Sequence, residues 1–404
     1  MQYKNKIFHV ENISTEKIAQ KFRTPLYCYS YSKLKKNIIN FKKNFNKIKP
    51  LICFSLKSNA NIKILKEIKN LGCGADVVSK GEMIRAMKAG INNKKIVFSG
   101  VGKTFSELEY AITKNILLIN VESKSELLVI EKIAKLKNKK IDIGIRLNPN
   151  TDAKTLSQIS TGKEENKFGL TEKQFIELTK YANNSNFVKL KCLSVHIGSQ
   201  IVNHKPYEKM LKTVDKIIKK TNHKFDFIDL GGGMGISYEK NNKKLNYKIY
   251  NSLISKFLKV TKSKIIFEPG RSIIGNTGIL ITKITYIKKI KNKNFIILDA
   301  GMNDLMRPAL YGAKHRIIPL IKKNKNIKKV FEFVGPICES TDKFLTTKSF
   351  QSIKEGDFII ICDVGAYGMS LSSNYNMRPN PAEVLIKNSQ VQIIKKRQKL
   401  DDIN

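Results

Sequence analysis

The sequence predicts a (β/α)8 TIM-type barrel followed by a mostly β C-terminal barrel or sandwich domain. Three observations carry this: eight short apolar runs in the first 270 residues, stretches with apolar residues at helical spacing between them, and a change of texture from residue 276 onward. Near-continuous apolar strands alternating with amphipathic helices indicate a parallel sheet covered on its outer face. Eight such units point to a closed barrel, with a doubly wound open sheet as the alternative. A chain of 404 residues is also long for one core, so two domains are expected.

In chain order the runs are Leu51–Lys57 (LICFSLK), Ala75–Ser79 (ADVVS), Lys95–Gly100 (KIVFSG), Ile116–Ser123 (ILLINVES), Ile141–Asn148 (IDIGIRLN), Leu190–Gly198 (LKCLSVHIG), Phe225–Gly232 (FDFIDLGG) and Lys264–Gly270 (KIIFEPG). Each is rich in Ile, Val, Leu or Phe. Between them, sets such as Ile62, Leu65 and Ile68, or Leu127, Val129, Ile130 and Ile133, recur at the spacing of one helix face. Beyond residue 276 the runs Ile279–Ile287, Phe295–Asp299 and Phe358–Asp363 read as strands with fewer helices between them. The expected division is therefore a barrel over 25–275 and a β domain over 276–404 that the N-terminal segment 1–24 completes.

Composition narrows the function. Lys and Arg number 75 against 33 Asp and Glu, a formal charge of +42. Such a charge raises the question of a nucleic-acid or anionic-membrane partner. The lysines are scattered through almost every helix and loop, and no basic block is interleaved with aromatics, so a general bias toward Lys, Asn and Ile explains them better and neither partner is expected. The six cysteines (28, 53, 73, 192, 338 and 362) show no metal-ligand spacing, no metal site is expected, and a reducing cytoplasm fits. The start, MQYKNKIFHVENISTEK, lacks the apolar core of a signal peptide, and no window spans a membrane without charge. The lysine-rich end, KKRQKLDDIN, is expected to fray.

The reactive-looking residues sit at the ends of the runs, where a barrel carries its chemistry. Lys57 closes the first run; partial desolvation there favours the neutral amine that a Schiff base needs, although a solvated Lys is the plainer reading of any one lysine. Gly231, Gly232 and Gly233 follow the seventh run in DLGGGMGI, and glycines let backbone N–H groups approach a phosphate closely, though a glycine run can also be only a tight turn. Glu268, Gly270 and Arg271 follow the eighth run as EPGR. Either the carboxylate and guanidinium pair with each other, or Gly270 serves a phosphate, Glu268 a cationic ring nitrogen and Arg271 a carboxylate. His196 ends the sixth run. A strand-end Lys, a phosphate cradle, an acid for a ring nitrogen and a flat His together describe a pyridoxal 5′-phosphate site.

These residues lie in ordered motifs: FSLKSN at Phe54, GADVVSKGE at Gly74, ISTGKEENKFG at Ile159, HIGSQ at His196, DLGGGMGI at Asp229, EPGR at Glu268, DAGMNDLMRPALYGAKH at Asp299, GPICESTD at Gly335 and GAYGMSLSSNYNMRPNP at Gly365. With them the chain resembles the diaminopimelate decarboxylases, of the alanine-racemase-like class, from TPLYCYS at Thr24 almost to its end. The resemblance implies that Lys57 carries the cofactor, His196 lies against its ring, Glu268 partners the ring nitrogen, and Asp76 lies nearby. It gives the phosphate to Ser199, the three glycines and the EPGR turn with Gly270 and Arg271. It makes Cys338 the proton donor and Glu339 a contact to the substrate amine. Arg271, Arg307 and Tyr311 would hold a substrate carboxylate, and Tyr367 would touch cofactor and substrate. Cys338 and Glu339 reach the neighbouring subunit's site in this family, which implies a homodimer. The chain departs from the family pattern at Leu156, Ser157 and Gln158, where a His and an aromatic are usual, and at Met234, which stands for a usual Leu.

The expected reaction is decarboxylation of meso-2,6-diaminopimelate to L-lysine and carbon dioxide, the last step of lysine biosynthesis. After the carboxyl group departs, the carbanion needs a proton from a group still protonated near neutrality, and a thiol of pKa near ~8.5 meets that need. The alternative is a decarboxylase for another diamino acid, of ornithine, arginine or carboxynorspermidine type. A racemase and a cofactor-homeostasis protein are more distant readings, weakened by Cys338, the RPALY element and the extra domain.

Overall fold

A computed structural model describes residues 1–238 and 244–403. The chain forms two compact units, one built on Ile38–Ile236 and continued through Ser272, the other on Met1–Asn37 and the chain from Ile273 onward.

In the first unit, eight parallel strands close a barrel among the described residues: β1 Leu51–Ser55, β2 Gly74–Val77, β3 Ile96–Phe98, β4 Leu118–Val121, β5 Ile141–Leu147, β6 Val188–Val195, β7 Phe227–Asp229 and β8 Lys264–Phe267. The last strand returns to the first with Ile266 opposite Leu51. All eight lie within or beside the apolar runs that predict them. Helices follow the strands, and polar residues start them: Asn61, Ser79, Ser123 and Asn246 each accept a backbone N–H of the first turn. Thr104 with Glu107 and Thr171 with Gln174 form complete capping boxes. The buried faces are the apolar ones, for instance Ile64, Leu65 and Ile68, or Leu127, Ile130, Ile133 and Ala134.

Side chains alternate across a strand, so residues two apart share a face. Inside the barrel this produces two layers of different character. Cys53, Val97, Leu118, Cys192 and Ile266 form a fully buried apolar cluster. Two positions further along those strands stand Ser55, Ser99, Asn120, Ser194 and Glu268, joined by Asp76 and Asp229, all buried. The apolar layer closes the barrel and the polar layer caps it toward the strands' carboxyl ends. Truncating Leu118 to Ala in that apolar layer is worth about 2–5 kcal/mol.

The second unit holds, among the described residues, a nine-stranded sheet whose main path runs Lys343–Thr347, Val330–Val334, Lys293–Leu298, Gly278–Ile290, Leu26–Ser30, Ala382–Lys387 and Gln390–Lys395. Leu26–Ser30 is buried throughout and pairs on both edges, antiparallel to Gly278–Ile290 and parallel to Ala382–Lys387. The sequence reading gave residues 25–37 to the barrel. They belong to the sheet unit, because this buried strand is a central member of its sheet. Phe8, Val10 and Ile18 pack into the same core as Leu26, Ile279, Ile360 and Val384. The carboxyl end is tied down rather than frayed: the Arg397 guanidinium donates to the carbonyls of Phe22, Arg23 and Pro25, and Gln398 bonds Asn374 and Asn380. No helix of the described residues is long and apolar enough to cross a membrane.

Candidate active site

Lys57 lies in the short 3-10 turn Leu56–Ser58 that leaves β1. Its Nζ is 3.2 Å from Oδ2 of Asp76, which is fully buried, while the lysine side chain itself stays 38% accessible. Ser55 Oγ donates to the same Asp76 oxygen at 2.6 Å. Asp76 Oδ1 is buried and has no hydrogen-bond partner among the described residues.

Four strand ends crowd together beside this lysine, which is why their sequence is glycine-rich. At Gly232 a Cβ atom would stand 2.1 Å from the Glu268 carbonyl oxygen, and at Gly233, whose φ is +85°, 2.4 Å from that of Gly198. Neither contact leaves room for a side chain, and left-handed φ adds strain for any other residue. Gly270 is pressed against Ser58 in the same way. Arg271 is buried, and its Nη2 donates to Ser199 Oγ at 3.0 Å. The glycine turn is fixed from below by Tyr207, whose hydroxyl donates to the Gly232 carbonyl at 3.1 Å and whose ring stacks on Tyr250.

His196 accepts the Gly232 N–H at Nδ1, 3.1 Å away. An accepting Nδ1 leaves Nε2 as the ring's N–H, the neutral imidazole. Electrostatics agree: burial, then the charges of Lys57 and Arg146, hold its pKa well below the usual histidine value. Glu268 is pushed the other way. Burial first, then the carboxylates of Asp229 and Asp76, raise its pKa well above the ordinary glutamate value, and Lys57 offsets only part of this.

The sequence reading passed over several residues of this layer. Asp229 accepts Gly231 N–H at 2.9 Å, Asn120 Nδ2–H at 3.0 Å and the Ser194 hydroxyl at 3.3 Å. Arg146 pairs with Glu122 at 2.8 Å, and the two Glu122 oxygens also accept the N–H groups of Gly100 and Gly169. Their signal was available: each of Asn120, Ser194 and Asp229 stands two residues beyond an inward apolar residue. Leu156, at the departure from the family pattern, is exposed, and the neighbouring Ile159 carbonyl accepts Ser199 N–H at 3.0 Å.

The remaining sequence-predicted residues lie in the second unit. Arg307 begins the short helix Arg307–Tyr311 and is buried. It donates from Nη1 to His315 Nε2 at 2.7 Å, while His315 Nδ1 donates to the Cys362 carbonyl at 2.8 Å. The guanidinium lies 4.8 Å from the centre of the Tyr238 ring. Asp304, the acid nearest in sequence, instead accepts Gly301 N–H and Asn303 Nδ2–H. Tyr311 is half-buried at the helix end, and Tyr367 takes the left-handed backbone conformation, φ +58°. Cys338 is exposed with a free thiol. Glu339 accepts the hydroxyls of Tyr375 and of Thr341. Their loop closes on Asp342, whose two oxygens accept the N–H groups of Ile337 and Met302.

Residues 31–275 match the family described as pyridoxal-dependent decarboxylase, pyridoxal binding domain, so the barrel with its strand-end lysine and glycine cradle belongs to a pyridoxal-dependent decarboxylase. The chain is 44% identical over 391 residues to the diaminopimelate decarboxylase of Helicobacter pylori, covering 96% of each, and 41% identical over 406 residues to that of Aquifex aeolicus, covering 100% and 96%. The crystal structure of the Helicobacter pylori enzyme complexed with L-lysine superposes with a TM-score of 0.92 at 43% identity, over 96% of this chain and 98% of that one. The enzyme of M. jannaschii, also with L-lysine, gives 0.93 at 35% identity, over 100% and 96%. The chain belongs to the diaminopimelate decarboxylase family.

Proposed function

We propose that the protein decarboxylates meso-2,6-diaminopimelate to L-lysine and carbon dioxide, the last step of lysine biosynthesis. The observation that carries this is similarity over the whole of both units, a span that includes Lys57 of the barrel and Arg307, Cys338 and Tyr367 of the sheet unit. The product L-lysine is bound in the related structures from Helicobacter pylori and M. jannaschii.

The barrel mouth suits pyridoxal phosphate on its own geometry: a glycine cradle that any Cβ would fill, a buried carboxylate oxygen lacking a partner, and a lysine beside it. Lys57 would hold the aldehyde carbon, and Asp76 holds the Lys57 amine in place. The N–H groups of Gly233 and Gly270, with the Ser199 hydroxyl and Arg271, would take the phosphate. His196, kept uncharged, offers a flat ring face, and Glu268 would meet the ring nitrogen. When bound, the cofactor supplies the sink for the electron pair left on the substrate's α carbon as its carboxyl group departs.

Cys338 then gives its thiol proton to that carbon, and Glu339 receives the substrate amine. Arg307, with its direction set by His315, and Tyr311 grip the distal carboxylate, with Arg271 and Tyr367 as further contacts. A bidentate guanidinium selects a distal carboxylate over the distal amine or guanidine of ornithine and arginine. The exposure of Cys338 supports a homodimer in which it serves the partner's site. Six free thiols fit a reducing cytoplasm. Incubation of the purified protein and cofactor with meso-diaminopimelate should yield L-lysine and carbon dioxide in equal amounts. Gas release from ornithine or arginine and none from diaminopimelate would reject the substrate assignment.

A further inference from the structure

We propose that Asp229 is a positioning residue for Glu268, and that in the ligand-free barrel the two carboxyl groups share a single proton, carried by Glu268 and accepted by Asp229. Strand periodicity sets both acids in the buried polar layer. Their side chains are hydrogen-bonded to each other. Two carboxylates cannot make that bond while both are ionised, so one proton must sit between them.

Hydrogen-bond inventory decides which acid holds it. Asp229 accepts three donors: Gly231 N–H, Asn120 Nδ2–H and Ser194 O–H. Glu268 accepts one long bond from Ser99 Oγ, at 3.4 Å. A carboxylate is stabilised by the donors aimed at it, so the charge belongs on Asp229 and the proton on Glu268.

Asn120 fixes the arrangement. Its Nδ2 reaches Asp229 and the hydroxyls of Ser99 and Ser194, at 3.0, 3.2 and 3.3 Å, so one amide orients both serines toward their acids. The amide is seated because β5 carries Gly144 opposite it, where a Cβ atom would stand 2.1 Å from Asn120 Oδ1. The other charged groups acting on the pair are Asp76, which disfavours a second negative charge, and Lys57, which favours one. Below lie the Cys53 and Cys192 thiols, both driven well above the ordinary range and neutral. The consequence for the reaction rests on the pyridoxal reading above: a ring nitrogen placed at Glu268 is met by a carboxyl that already holds a proton, so that proton comes from the barrel rather than from solvent.

Infrared spectroscopy of the full-length ligand-free protein tests this. The wild type should show the C=O stretch of a protonated carboxyl near neutral pH, and that band should be absent from Glu268→Gln. In Asp229→Asn the neighbouring charge is gone, and the midpoint at which the band disappears should fall by about one to three pH units. Should Asp229→Asn not fold, isotope labelling of the wild type answers the same question, since ¹³C-glutamate should shift the band and ¹³C-aspartate should not. A band absent at neutral pH, indifferent to Glu268→Gln, unmoved in Asp229→Asn, or shifted by ¹³C-aspartate would overturn the proposal. No cofactor or substrate is present in these spectra, so failure of the diaminopimelate assay and failure here are separate results.

Discussion

The barrel mouth and the loop 335–342 of the sheet unit are assembled on opposite principles. In the barrel, Asp76 and Asp229 are 0% and Glu268 6% exposed, and each is bonded to polar groups around it: Asp76 to Ser55 and Lys57, Asp229 to Gly231 and Asn120, Glu268 to Ser99. In the loop a single buried carboxylate, Asp342, ties the backbone together while Cys338 and Glu339 are presented outward. The first arrangement prepares chemistry inside one unit, where low dielectric strengthens each polar contact. The second prepares side chains for something beyond the unit's own surface. Perturbed carboxyl groups accordingly mark the barrel's chemistry, whereas in the loop they mark its scaffold.

The sharpest way to break this comparison is to remove one reactive group from each side. Lys57→Ala should lower kcat/KM by roughly 10⁴-fold or more while leaving the far-ultraviolet circular dichroism unchanged. Cys338→Ala should lower kcat by about 10²- to 10³-fold and shift the melting temperature little, because an exposed thiol contributes little packing. If Cys338 serves the partner's site, mixing these two inactive variants under subunit exchange should restore up to about a quarter of wild-type activity, through hybrid dimers with one intact site. No recovery after exchange has been demonstrated by mass would sink the shared site.

Two smaller effects sharpen the contrast. Gly233→Ala forces a Cβ against the Gly198 carbonyl at positive φ, and chemical denaturation should show a loss of about 1–3 kcal/mol together with weaker retention of pyridoxal phosphate. Asp342 should act through pH. Burial, outweighing its backbone donors, raises its carboxyl to about 6, so the fold prefers the protonated form. Stability from this group is then fully present below its unfolded value and is lost as pH rises toward 6. Asp342→Asn leaves a backbone N–H without its acceptor and lacks this titration. The variant should be the less stable at acid pH, and the gap to wild type should narrow between about pH 4 and 6 by on the order of 2 kcal/mol. Urea midpoints at several pH values measure it, and a constant gap would contradict the assignment.

Much of the barrel was legible because its signals are local. An apolar run ending in a reactive residue reports both a strand and its mouth, and Lys57, His196, Glu268 and the three glycines were read that way. Asp229 and Asn120 were missed because each lies inside a run, where a polar residue stands out only after the inward face has been identified. The strand Leu26–Ser30 was given to the wrong unit, since a buried strand pairing on both edges has the same composition wherever it resides. Arg397 was read as part of a fraying tail because its partners are the carbonyls of Phe22, Arg23 and Pro25, far away in sequence. For Cys338, Glu339 and Tyr367 it was the ordered motifs of the family, and no periodicity, that pointed to a role.

All of the proposed chemistry requires that the barrel mouth hold pyridoxal phosphate through one amine, that of Lys57. Reduction of the cofactor-loaded protein with borohydride, followed by peptide mass analysis, tests it most directly. A phosphopyridoxyl group on Lys57 at close to one per chain is the expected result. A chain left unmodified at position 57 after saturation with the cofactor, or labelled instead at another lysine, would contradict it.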